Sequence, residues 1–355
     1  MSKGDASAAR PSQKADFEIA AQEIAQLLRP LSLLVAGNVG VDGITDVESF
    51  SALQRDAWYN LAVHGFSTSS AIGKKHLEEL KVLAKYTKPL IAEERANNLV
   101  SDVDLNTVLR RGMSADSASA VKHELCQLLP QCDADVKSLS YPELIFLKAT
   151  HLVETLRASS GDCTKVLRYF VDRQLRGTPL GVCVAGVASV SVDLYLTNTL
   201  TGRKDLFSAP YVAQQLSSVF EDCCHRVESV QKVAYMCAER ITTHVPSVLC
   251  QRTSLFTLLD LLTIMWASCL EAETDEYHWT PTHVSPSGAT SVQLSDDFTF
   301  RRHTLKLFHR RARDWVGRAI NLAPLDVKGF LQVGHDRLEV ILILTRADVL
   351  VGLCR

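Results

Sequence analysis

The sequence is poor in the features that announce chemistry, and each shortage excludes something. Alternating apolar and polar runs closed by Asn-Gly or Asp-Gly turns do not recur, so a β-sheet architecture is not expected. Its ten cysteines are scattered without framework spacing. The opening MSKGDASAARPSQKAD lacks the apolar stretch that directs secretion. We therefore expect reduced thiols and a cytosolic compartment. The formal net charge is only -2. A general nucleic-acid binder is usually basic overall, so nucleic acid is not an expected partner.

Long uncharged apolar runs are missing too. GVCVAGVASVSVDLYL at 181–196 and SLFTLLDLLTIMWASCL at 254–270 both fall short of the roughly 20 residues a membrane span needs. Each also carries a carboxylate, Asp193 and Asp260, so both read as buried helices.

Signatures of catalysis and ligand binding are absent in the same way. LLVAGNVGVDG, 33–43, spaces its glycines as G-x-x-G-x-x-G from Gly37, which is neither a dinucleotide fingerprint nor a Walker loop. A flexible connection between helices is expected there. The CCH run at 223–225, with Cys237 and Cys250 downstream, lacks the C-x₂₋₄-C pairing of structural zinc sites. Cys126 and Cys132 have no matching second pair. Buried small thiols are the expectation. No local signature supports a Cys-His nucleophile. A kinase catalytic loop, a metal-binding DFG and a glycine-rich loop with a following Lys are also absent, and HDR at 335–337 stands without the rest.

What the sequence does have is helix. Phe17, Ala20, Ala21, Ile24, Leu27 and Leu28 recur at helical spacing until Pro30, which is expected to bend or end the helix. Phe50, Leu53, Ala57, Trp58, Leu61 and Ala62 form a second stripe, with Gly65 as its stop. A third helix is expected from Lys74 into the 90s, burying Leu77, Leu80, Val82, Leu83 and Tyr86. Further helices are expected over 114–129, 142–158, 164–175, 180–199, 210–239, 246–270 and 296–322. Pro142 and Glu143 suit a helix start.

Residues 1–15 have no periodicity and read as disordered. Residues 16–272 read as a helical solenoid, 273–297 as a Pro-, Ser- and Thr-rich loop, and 298–332 as continuing solenoid helices with a basic face. Residues 333–355 form an atypical C-terminal tail. The expected fold class is all-α, an irregular α-solenoid of stacked antiparallel helix pairs of the HEAT or armadillo kind.

The most informative surface feature is RRHTLKLFHRRARDWVGR, 301–318. Leu305, Phe308, Ala312 and Trp315 form an apolar stripe. Arg301, Arg302, Lys306, Arg310, Arg311 and Arg313 lie outside it. Such a helix can sit on an anionic membrane or an acidic partner. The plainer expectation is a framework helix whose Arg stems cover its neighbours.

Three segments, in order, resemble one family. RDAWYNLAVHGF, 55–66, and SYPELIFLKATHLVETLRA, 140–158, are similar to helices of phosphatidylinositol 4-kinases of the type III alpha class, fungal type. So is the stretch in which a basic helix runs into Trp315, Ala319, Ala323, Pro324, Lys328, Leu331 and Gln332. The resemblance covers about residues 45–332.

It implies an N-terminal helical solenoid segment of a longer polypeptide, lacking the kinase domain. The family phosphorylates phosphatidylinositol at the plasma membrane with ATP and Mg. Its solenoid would support self-association and dock scaffold subunits. No catalytic, cofactor or metal residue is carried over to this chain. The alternative is a HEAT- or armadillo-like adaptor that binds protein partners and is unrelated to a kinase.

Overall fold

The computed structural model describes residues 9–37, 47–91, 115–201, 207–274 and 280–327. The chain divides into two compact units, Met1–Ser191 and Val192–Arg355. Nearly all the described structure is helical, and within each unit the helices pack on one another, consistent with an irregular α-solenoid. The fold class is all-α.

The first unit holds α1 (Ala9–Gly37), α2 (Val47–Val63), α3 (Ala71–Lys75), α4 (Leu77–Tyr86), α5 (Ala115–Leu128), α6 (Asp133–Ser138) and α7 (Tyr141–Ser159). Two short 3-10 stretches, Lys165–Val171 and Arg173–Leu175, precede α8 (Pro179–Leu200), whose residues up to Ser191 belong to the first unit and the rest to the second. At the centre is α7, with α2, α4 and α5 packed on it. It starts where sequence chemistry favours a start: Pro142 sits in the first turn, and the Ser140 N–H donates to Glu143 Oε2 at 2.8 Å. Every residue from Leu144 to Ala158 is buried, as in a helix enclosed on all sides.

That burial includes four ionisable groups, and each needs an answer. Lys148 reaches Glu124 at 2.7 Å. Glu154 pairs with Arg157. The Arg157 Nε donates to the Ala84 carbonyl at 2.9 Å, and its Nη2 donates to the Thr87 carbonyl. Burial pushes the Glu154 carboxyl up, with Arg157 opposing. Burial holds the His151 imidazole down to about 4, with Glu124 opposing.

Trp58 Nε1 donates to Thr87 Oγ1 at 2.8 Å, and the Leu90 N–H donates to the Tyr169 hydroxyl at 3.1 Å. The non-helical stretch after α4 is therefore held from three sides. At the end of α2, Gly65 takes φ +75°, and Phe66 N–H donates to the Leu61 carbonyl at 3.0 Å. That left-handed closure favours Gly. In α8, a Cβ at Gly186 would lie 2.8 Å from Cys132 Sγ. Glycine there lets the helix approach the 3-10 turn Pro130–Cys132.

The second unit holds α9 (Ala209–Cys223), α10 (Glu228–His244), a 3-10 turn at Pro246–Cys250, α11 (Arg252–Thr274) and α12 (Phe298–Leu322). Both α10 and α11 pack on α9, while α12 packs on α11 and the 3-10 turn. The strands β1 (Thr282–Val284) and β2 (Ser291–Gln293) form an antiparallel hairpin, pairing His283 with Val292. The carboxylate that interrupts the apolar run of α11, Asp260, is buried and accepts a hydrogen bond from Ser287 Oγ at 2.9 Å. It thereby ties the hairpin to the helix. Asp193, which interrupts the other apolar run, accepts two bonds from Arg240 Nη1 at 2.6 and 2.7 Å.

Several sequence expectations are corrected. The first helix begins at Ala9, inside the segment read as disordered, because an Ala-rich stretch tolerates Pro11 in its first turns. It also runs through Pro30. Pro30 and Gln26 are both exposed, so water can take the carbonyl that proline releases. The third helix ends at Tyr86, and of its five expected core residues only Leu80 is buried. Leu53 is exposed as well.

The expected helix over 210–239 is two, broken at residues 224–227, which lets α9 and α10 fold back on each other. Residues 164–175 are 3-10 rather than α, and the helix expected from Pro246 starts at Arg252 after a 3-10 turn. The loop expected over 273–297 carries the hairpin, whose polar strands hid the alternation. The glycine spacing beyond Gly37, HDR at 335–337 and the tail 333–355 lie outside the described residues.

Three helical stretches are long and apolar enough to cross a membrane by length and composition, so the expectation that the runs at 181–196 and 254–270 are too short is corrected: their helices extend beyond those runs. Pro179–Leu200 and Arg252–Glu271 are 67% and 61% buried within the protein, which fits their reading as core helices. Phe17–Gly37 is only 22% buried, and Leu27, Leu31, Leu33 and Leu34 lie exposed along it.

Two outcomes are expected. Arg157→Met strands Glu154 and the Ala84 and Thr87 carbonyls inside the fold, and Glu154→Gln leaves the Arg157 charge buried without its counter-ion; each should cost about 3–5 kcal/mol, which chemical denaturation measures. The second concerns His151, which protonates in the unfolded chain at its usual 6.5 but in the folded chain only near 4. Its contribution is complete above pH 6.5 and is lost as pH falls toward 4, by up to about 3 kcal/mol. In urea titrations across that window, His151→Gln should flatten the slope.

Candidate functional site

The candidate surface is the outer face of α12. Asp297 caps the helix, accepting from the Phe300 N–H at 3.1 Å. Arg301, Thr304, Phe308, Ala312, Trp315, Val316 and Ala319 are buried at helical spacing. Phe308 meets Phe220 edge-on with ring centroids 6.4 Å apart, and Trp315 lies 4.9 Å from Phe220. Trp315 Nε1 donates to Glu239 Oε2 at 3.0 Å, and Arg318 reaches the same carboxylate. Gln231 Nε2 donates to Thr304 Oγ1 at 3.1 Å. Burial raises the Glu239 carboxyl, but the hydrogen bonds from Trp315 and Arg318 outweigh it and hold the group below its ordinary range. One edge of α12 is thus fixed to α10 by polar contacts and its underside by aromatic packing.

The six cations singled out by sequence do not share one fate. Lys306, Arg310, Arg311 and Arg313 are exposed, and Arg302 is half-buried. Arg302, Lys306, Arg310 and Arg313 follow one another at steps of four, four and three, which places them on one ridge of the helix. Arg311 stands apart on the flank toward α10, where its charge acts on Tyr235 and Glu239.

Arg301 is a correction. It is buried, and its Nη1 donates to the Ser295 and Asp296 carbonyls at 2.7 and 2.8 Å. The guanidinium holds the chain that enters α12 and is unavailable to a partner. The apolar stripe is corrected too: half-buried Leu305 gives way to Thr304, whose hydroxyl takes the Gln231 amide. The spacing 301, 304, 308, 312 carried that signal, but two polar residues disguised it.

The cysteine candidates hold no ligand geometry. Cys223 ends α9 and Cys224 follows it, both fully enclosed. Burial pushes both thiols well up, and takes Cys237 up to about 12. Thiols held protonated are poor nucleophiles and poor ligands. Among the described residues no group of three or more His, Cys, Asp or Glu is placed to hold a metal ion.

No protein-family model matches the chain. Two curated proteins do. Phosphatidylinositol 4-kinase STT4 of Saccharomyces cerevisiae is 30% identical over 314 residues, or 88% of this chain. Phosphatidylinositol 4-kinase stt4 of Schizosaccharomyces pombe is 31% identical over 300 residues, or 83% of it. This chain is a homologue of one segment of the phosphatidylinositol 4-kinases. It spans 16% of the length of each of these relatives. The three helical segments that resembled the kinase family therefore lie in a chain related to it over most of its length. Two of them lie at the core of the first unit: 55–66 covers the second half of α2 and its closing turn, and 140–158 covers the cap and body of α7.

Single neutralisations Lys306→Ser, Arg310→Ser and Arg313→Ser should each shift stability by no more than ~0.5 kcal/mol, as exposed positions do. Arg301→Ala should cost ~1–3 kcal/mol by leaving two carbonyls without their donor. Thermal melts of the four variants separate the ridge from the buried anchor.

Proposed function

We propose that this chain is a non-catalytic helical framework of a phosphatidylinositol 4-kinase. It supports self-association and docks membrane-anchored protein partners, so that phosphatidylinositol 4-phosphate is made at the cytoplasmic side of the plasma membrane. The observation that carries the reading is the homology to two such kinases across more than four-fifths of the chain. The sequence contains none of the loops that hold ATP, Mg or the transferred phosphate.

The physical logic is geometric. Stacked helices present long surfaces whose side chains vary without disturbing the core, which suits docking of several proteins at once. Bond-making in this reading belongs to another part of a longer polypeptide, which would bring the ATP and Mg. The framework sets where that part works. Self-association and partner docking place catalysis in phosphoinositide signalling without any reactive group here.

A chimera tests it. In the Saccharomyces cerevisiae kinase, the 314 matched residues are replaced by this chain, or deleted. The replacement should keep lipid phosphorylation on membranes, while the deletion should lose it there and retain activity on lipid in detergent micelles. Turnover of phosphatidylinositol by the 355-residue protein alone, or a folded chimera without membrane activity, would overturn the framework role.

A further inference from the structure

The cationic ridge of α12 has a composition that selects among partners. Arg302, Lys306, Arg310 and Arg313 run along it, while both large aromatics of the helix's middle, Phe308 and Trp315, are turned inward and fully buried. The anchors of a specific protein interface are Trp, Tyr or Arg side chains seated in desolvated pockets near its centre. The ridge offers Arg and Lys side chains along the outside of a helix, with no aromatic among them. Asp314 is the exposed acid beside it. Fixed positive charges in a row match a surface of diffuse negative charge.

We propose that this ridge binds the headgroup layer of an anionic phospholipid bilayer directly. This goes beyond the framework reading, which needs only protein partners, and it stands without the kinase homology. The polar contacts to α10 and the aromatic packing hold α12 in place, so the ridge is presented rigidly. The ends of its side chains do not have to be ordered on binding, because headgroups move to meet them. Attraction of this type is screened by salt.

The test uses the 355-residue protein with sedimentable vesicles of phosphatidylcholine alone or with phosphatidylserine. The wild type should sediment only with the phosphatidylserine vesicles, and less as salt rises. Each cation near an anionic surface is worth roughly a five-fold factor in partitioning, so the triple variant K306E/R310E/R313E should lose ~100-fold or more. The variant K74E/K75E/K88E changes net charge equally at exposed positions of the first unit and should bind as the wild type does. Far-UV circular dichroism confirms that each variant is folded. Should the reversal variant unfold, the neutral triple K306S/R310S/R313S replaces it, with the same expected direction.

Three results would overturn the proposal: a wild type indifferent to phosphatidylserine, equal losses in both triple variants, or tighter retention on soluble polyglutamate than on the vesicles. The last would assign the ridge to an acidic protein.

Discussion

A guanidinium with no access to water must find its acceptors inside the fold, and Arg157 finds them on the last turn of α4 and on the residue that leaves it. Its bonds to the Ala84 and Thr87 carbonyls fasten a stretch that has no helical partner of its own. Glu154, one turn earlier, balances its charge. A buried pair of this kind contributes modestly when intact and costs heavily when broken. Its value lies in selecting one arrangement: α4, α7 and the chain between Thr87 and Ile91 meet in a single register. Trp58 and Tyr169 bond to the same stretch, so α2 and the 3-10 segment after α7 are drawn to it as well.

The second unit solves the same problem with a carboxylate. Glu239 receives the indole N–H of Trp315 and the guanidinium of Arg318, so one acceptor on α10 orients α12 about its long axis. Rotation of α12 by a quarter turn would bury cations and expose Trp315. The outward direction of the ridge therefore follows from a hydrogen bond on the far side of the helix. Asp193 and Asp260 act in the same spirit. Each marks the polar contact that fixes an otherwise featureless apolar helix, through Arg240 in one case and the hairpin hydroxyls in the other.

The helical character was legible because apolar residues recurred at three and four, and because Ser140, Pro142, Glu143 and Gly65 sit where helix ends need them. The kinase relationship was legible from helices that form the core. What escaped were features that depend on the third dimension. The break after Cys223 interrupts no apolar pattern, since both flanking helices bury their own stripes. Residues 164–175 satisfy an α pattern and a 3-10 pattern equally over so short a length. Arg301 and Thr304 were sorted by residue type, although their positions belonged to the buried stripe. Burial of a polar group depends on what faces it, and Ser295, Asp296 and Gln231 come from other turns of the chain.

The close approach at Gly186 has a consequence for experiment. Cys132 is sealed against a helix backbone that comes near only because no side chain intervenes. A bulky maleimide has no room beside that sulfur while α8 is seated. The labelling rate of this thiol would therefore count how often α8 lifts away, turning an inert cysteine into a clock for local breathing of the first unit.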